Sequence, residues 1–189
     1  YHTIDWSTLK NILYQMTFAY QKPILYKSFQ FGFHAKAAVQ QMPKTIFFHI
    51  KRDVFQNAYS ILKLREKRHK DISIWASIKP HQYSLLKNEN PYRQVVGQVM
   101  FLNYEYKKQL EDIPKTNKHV ISYSDLCASP EKVLNQLVGV ISHHHTLKSS
   151  TDGILPISEN RVVIPLEILS HFENAKKWLL TKYPELQYD

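Results

Sequence analysis

Glycine is scarce in this sequence: Gly32, Gly97, Gly139 and Gly153 are the only four, and none lies near another. That excludes a glycine-rich phosphate loop within these residues, because wrapping an anion in successive backbone N–H groups needs closely spaced glycines. Cys127 is the single cysteine, so no disulfide can close within the chain. No apolar run approaches the roughly 18 to 20 residues of a membrane-spanning helix, and no basic-then-apolar leader occupies Tyr1–Lys10. Repeats of solenoid period and low-complexity tracts are missing too. Together these absences predict a soluble protein in a reducing, cytoplasmic setting, folded as one domain over residues 1–189.

Acidic residues are also in short supply. Sixteen Asp and Glu face 25 Lys and Arg, a formal charge of +9 that favours an anionic partner: a nucleotide, a polyanion or a membrane surface. The basic residues are scattered and form no strong stripe, so nucleic acid is not the expected partner. His143-His144-His145 carries no metal expectation, since adjacent side chains rarely face one ion and no carboxylate or thiol cluster accompanies them. A content of 43% hydrophobic and 13% aromatic residues is enough to build a core.

Trp6, Leu9, Leu13, Met16 and Tyr20 alternate at spacings of three and four, which predicts an amphipathic helix over Asp5–Tyr20. Ile24-Leu25-Tyr26 and Thr45–Ile50 are short apolar runs, each ending in a basic residue, and predict buried strands. His34–Gln41 has the length of a crossover helix between them, and a second helix starts after Arg52. Asn90-Pro91 caps a helix whose stripe Val95, Val99, Leu102, Tyr106 and Leu110 runs to about Asp112. His119–Tyr123 predicts a third strand, Ser129-Pro130-Glu131 opens another helix, and Pro165 opens the last. Ser142–Asn160 reads as a polar loop, and Pro80 interrupts the helical pattern between Ile72 and Lys87. Strands alternating with helices give an α/β fold, a parallel sheet flanked by helices in three layers, with ligands at the carboxyl ends of the strands.

The run Thr45–Ile50 leads into Lys51-Arg52-Asp53, and Ser60 follows eight residues after Arg52. That spacing allows one tight turn and an opening helical stretch, so a guanidinium and a hydroxyl can converge on one phosphate. A surface ion pair and a helix cap are the plainer explanation of Arg52-Asp53.

Arg52-Asp53-Val54-Phe55-Gln56-Asn57-Ala58-Tyr59-Ser60 resembles the 3′-phosphate motif of the sulfotransferases that use 3′-phosphoadenosine 5′-phosphosulfate. Upstream, Pro23–Ser28 is similar to that family's strand ending in Lys-Ser or Lys-Thr; downstream, Val120–Cys127 followed by Ser129-Pro130-Glu131 is similar to its Tyr-Glu-Asp-Leu strand and following helix. The three segments stand in the family's order and span Pro23 to Leu137. The resemblance implies a sulfotransferase fold of the P-loop NTPase type. It implies transfer of a sulfuryl group to a hydroxyl or amine by in-line displacement, with adenosine 3′,5′-bisphosphate (PAP) as the nucleotide product.

Carried over by position, Arg52 and Ser60 bind the 3′-phosphate, Tyr123 lies near the adenine, and Lys27 stabilises charge developing on the leaving phosphate. The cytosolic branch places a histidine base just after that lysine; here Phe29 and Gln30 hold the place and His34 comes a few residues later as the candidate base. Asn160-Arg161 stands toward the C-terminus where that branch has an Arg-Lys-Gly phosphate clamp, which adds Arg161. Val54 replaces the family's proline and Ser124 its glutamate. The missing glycine-rich loop leads to the expectation that the chain begins after the first βα unit and is inactive alone. A P-loop-type nucleotide kinase and a non-catalytic polyanion- or nucleotide-binding module are the alternatives.

Overall fold

The structure, a computed structural model, describes residues 3–142 and 162–187. Three helices make its main core: α3 (Val54–His69), α5 (Pro91–Glu111) and α8 (Leu166–Lys182). Helix α5 begins where the sequence places it, with Pro91 in its first turn and the Asn90 side chain accepting the Arg93 N–H at 3.0 Å. It is central because it is apolar on more than one face: Val95, Val96, Val99, Met100, Phe101 and Leu102 are all buried. Against it α3 sets Ala58, Tyr59 and Leu62, and α8 sets Phe172, Ala175 and Leu179. Gly97 makes the approach possible, since a Cβ there would stand 2.6 Å from Leu86 Cδ2, and Leu86 is fully buried. Leu86 belongs to the short helix α4 (Tyr83–Leu86), which follows a helix-free stretch on either side of Pro80.

The remaining architecture is α/β and mostly helical, with a small parallel sheet of two strands flanked by helices. Strand β1 (Phe47–Lys51) pairs with β2 (Lys118–Ser122) in a register running from Phe47 opposite Lys118 to Lys51 opposite Ser122. A second apolar cluster of Ala35, Val39, Leu110 and Ile113, with Phe47 against it, ties this sheet to α5 and to α2 (Ala35–Gln41). Buried Asn117 fixes where the strands start: its side-chain amide donates to the carbonyls of Pro43 at 2.6 Å and Thr45 at 2.8 Å.

Two strand expectations are corrected. Residues 23–28 form no strand, and Leu25 is 84% exposed. An apolar run becomes a strand only where a neighbour satisfies its backbone, and the described sheet is β1 and β2 alone. Tyr123 does not end β2 but opens α6 (Tyr123–Ala128), because the Ser122 side chain accepts the Asp125 N–H and caps a helix there. The expected helices at α1 (Trp6–Tyr20), α2, α3, α5, α7 (Pro130–Ser142) and α8 are all present. Helix α1 buries no residue completely and leaves Ile12, Tyr14, Phe18 and Tyr20 exposed. The predicted loop after Ser142, including His143-His144-His145, lies outside the described residues.

Candidate functional site

Parallel strands that end level with one another deliver the residues that follow them to one edge. Because Lys51 is opposite Ser122, Arg52 and Tyr123 emerge side by side at the carboxyl end of the sheet. There the Arg52 guanidinium carbon lies 4.9 Å from the centre of the Tyr123 ring, a cation–π contact that orients the guanidinium plane. Ser60, two turns into α3, comes to the same place: Arg52 Nη1 donates to Ser60 Oγ at 3.4 Å. Ser60 is exposed and Arg52 half-buried, while Ala58 and Tyr59, just before Ser60 in α3, are buried.

Asp53 turns the chain from β1 into α3. Its carboxylate caps the helix by accepting the Gln56 N–H at 2.8 Å, so the helix cap expected at this residue pair is present. The sixteen-residue helix α3 points its positive end toward this edge, which adds to the attraction of an anion there. Gln56 was missed by sequence reasoning. Its side-chain amide donates to the Val162 carbonyl at 3.0 Å and accepts the Val162 N–H at 3.2 Å, a two-bond clamp on the segment entering α8. Arg161, the residue before Val162, lies outside the described residues.

Lys27 and His34 lie away from that edge's contacts, beside residues that pack on Tyr106 of α5. Lys27 sits in extended chain with Nζ 5.5 Å from the Phe29 ring, and the Phe29 carbonyl accepts the Tyr106 hydroxyl at 2.9 Å. His34 ends a 3₁₀ turn, Phe31–His34, whose Phe33 ring packs 5.1 Å from Tyr106 and 5.5 Å from His81. Gly32 allows this approach, because a Cβ there would meet Tyr106 Cε1 at 2.8 Å. His49 of β1 packs edge-on to Tyr106 at 5.8 Å and joins the group to the sheet.

Burial pushes the basicity of His34 down, and nearby positive charge, including that of His81, pushes it further. His49 is depressed chiefly by burial and then by Lys51. A folded value below the ordinary one means that acid protonates the unfolded chain first. Stability is therefore lost as pH falls from about 6.5 through the folded value. Replacing His49 with Phe should flatten that part of the profile, checked by urea unfolding of both proteins at pH 7.5 and 5.5.

His81 and Glu105 also escaped the sequence reading. Glu105 is buried, and one carboxylate holds His81 twice: Oε1 accepts the His81 backbone N–H at 2.9 Å, and Oε2 lies 2.9 Å from Nδ1. The sequence signal was a polar seam on the buried helix α5, Gln94, Gln98 and Glu105, each spaced to share one side. An open groove along Cys127, Ser129, Pro130, Lys132 and Gln136 contains none of the predicted residues. No family model, no curated protein and no solved structure matches this chain.

Proposed function

We propose that the chain is a sulfotransferase of the PAPS-dependent type and that Arg52 and Ser60 are its grip on the 3′-phosphate. The observation that carries this reading is the convergence of Arg52, Ser60 and Tyr123 at the carboxyl end of two parallel strands. A guanidinium and a hydroxyl 3.4 Å apart at a partly exposed edge can both donate to one tetrahedral anion. Tyr123 holds the guanidinium from behind, and the net charge of +9 favours a ligand of the opposite sign. The reading carries with it a larger three-layer parallel sheet of the P-loop type, of which β1 and β2 are a part.

PAP or its phosphosulfate parent fits this edge through its 3′-phosphate. The 5′ end finds no glycine-rich loop in this sequence. When bound, the nucleotide supplies the activated sulfuryl group. Lys27 is the residue proposed to balance charge on the leaving phosphate, and the acceptor is a hydroxyl or an amine.

Titration calorimetry of the full chain with PAP and with adenosine 5′-phosphate tests the proposal. Charge-assisted hydrogen bonds to a phosphate contribute about 1.5–3 kcal/mol. PAP should therefore bind on the order of 100-fold tighter than the nucleotide lacking the 3′-phosphate, and Arg52→Ala should erase most of the difference. Equal affinities for the two nucleotides would reject the reading.

A further inference from the structure

Residues 6–52 hold seven of the 25 basic residues and none of the 16 acidic ones, so most of the net charge of +9 lies in this one stretch. The same stretch holds eight of the fourteen large hydrophobic side chains that stand exposed among the described residues. Positive charge and uncovered apolar surface therefore coincide.

The overlap is densest on α1 and the chain just after it. Asp5 starts α1 by accepting the Thr8 N–H at 3.0 Å. Trp6 ties the helix to the body by packing 6.1 Å from Phe31, which stacks in turn on Phe47 of β1, and Leu9, Leu13 and Met16 on the same stripe are half-buried. Tyr14 and Phe18, one turn apart, lie off that stripe: they stack on each other at 6.4 Å and are 70% and 68% exposed. Lys10 stands one turn before the two rings and Lys22 just past the helix end, so a lysine brackets them on either side. The chain then lies back along α1, where the Tyr26 hydroxyl donates to Met16 Sδ at 3.3 Å, and leaves Leu25 84% exposed. Lys10 reaches the neutral Gln41 Oε1 at 3.3 Å, and among the described residues no carboxylate pairs with it, with Lys22 or with Lys27.

Charge decides between the occupants such a surface could take. A second copy would set an acid-free face against itself, and like charges would meet across the two-fold axis. A soluble polyanion would answer the lysines and leave the apolar side chains in water. A bilayer with anionic headgroups answers both, because rings and aliphatic side chains enter the boundary of the acyl chains while lysines meet the phosphates above it. Among the described residues no helix is long and apolar enough to cross a membrane, which confines this contact to the bilayer surface.

We propose that α1 and the chain through Phe29 form a docking surface for an anionic lipid bilayer, with Tyr14, Phe18 and Leu25 at the apolar boundary and Lys10 and Lys22 on the headgroups. Docking needs no nucleotide and does not rest on the sulfotransferase reading.

Co-sedimentation of the full chain with vesicles of phosphatidylcholine, with and without phosphatidylserine, tests it. Binding should be at least about 10-fold tighter to the vesicles that contain phosphatidylserine, and Lys10→Gln with Lys22→Gln should remove most of that difference. Phe18→Ser with Leu25→Ser should weaken binding to the same vesicles by about 10-fold. All four side chains are exposed, so both double variants should keep the wild-type urea midpoint. Phe18→Trp gives a reading that depends on no loss: its emission should shift to the blue on the vesicles and be quenched by lipid brominated in the acyl chain. Equal binding to the two kinds of vesicle, binding to neither, or no quenching in Phe18→Trp would overturn the proposal. So would a dimer in sedimentation velocity that the Phe18 and Leu25 substitutions dissolve, which assigns the face to a second copy. Tighter binding to a single-stranded polynucleotide than to the vesicles, weakened by those same two substitutions, would assign it to nucleic acid instead.

Discussion

Arg65→Ala should cost about 3–5 kcal/mol of folding stability, read as a large drop in the urea midpoint at unchanged slope. Arg65 is wholly buried in α3, yet its hydrogen-bond partners are all neutral. Nη1 donates to the Ile72 carbonyl at 3.1 Å and to Gln94 Oε1 at 2.7 Å, while Nη2 reaches Gln98 Oε1 at 3.4 Å. The guanidinium also lies over the Trp75 ring, 4.9 Å from its centre. The two glutamines pass the network on: Gln94 donates to the carbonyls of Lys87 and Glu89, and Gln98 to those of Ala76 and Ile78. One arginine thus organises the irregular chain between α3 and α5, where no regular ladder satisfies the backbone.

Alanine at 65 would leave a side-chain-sized void and strand three acceptors, each worth about 1–3 kcal/mol when buried without a donor. Arg65→Lys should recover only part of the loss, because one ammonium cannot span both glutamines and lie flat on Trp75. The network is not a source of stability from charge as such. Burial pulls the guanidinium down to about 10, below its ordinary value. The charged form therefore costs stability at neutral pH, and that cost is relieved only as pH rises through about 10. Arg65 Nε and Trp75 Nε1 are themselves buried without partners. What the arginine supplies is a single defined path for residues 70–90, including the turn at His81. A loss under about 1 kcal/mol in Arg65→Ala would show that this path is held by other contacts.

The second large effect is expected at Phe172, where truncation to alanine should cost about 3–5 kcal/mol. The ring is fully buried between α8 and α5, 5.8 Å from Phe55 and 6.2 Å from Tyr92. Phe55 lies in the first turn of α3, three residues after Arg52, so Phe172 is one packing step from the edge where Arg52 and Ser60 meet. Gln56, the next residue of α3, clamps Val162 at the entrance to α8. Losing Phe172 removes the apolar half of this attachment and leaves the polar half exposed to competition from water. Chemical denaturation of Phe172→Ala and Phe172→Leu checks it: leucine should recover more than half of the loss, since most of the volume returns. Equal losses for the two would mean that ring geometry, rather than filled space, holds α8.

Helices and caps were legible because they depend on residues close in sequence. Asn90-Pro91 fixed the start of α5, and Asp53 capped α3 within four residues. The pairing of Arg52 with Ser60 was legible for the same reason, as eight residues through a turn and a helix leave little freedom. The Ile24-Leu25-Tyr26 run shows the limit. Its composition suits a strand, but strand formation is a property of two segments, and the described sheet contains no place for it beside β1 and β2. His81 and Glu105 lie 24 residues apart, Arg65 and Gln98 33, and Gln56 and Val162 106.

The amino-acid order by itself determined where α3 and α5 begin, that the strand after Thr45 leads into Arg52, and that Arg52 and Ser60 meet. Those outcomes follow from backbone propensity and short chain closure, both local. Tertiary structure alone decided that Tyr123 lies beneath Arg52, that Arg65 is buried among glutamines, and that a carboxylate on α5 lies beside His81. Each of these joins side chains whose separation along the chain costs entropy to close, offset by the pairing of β1 with β2 in the first case and by the packing around α5 in the others.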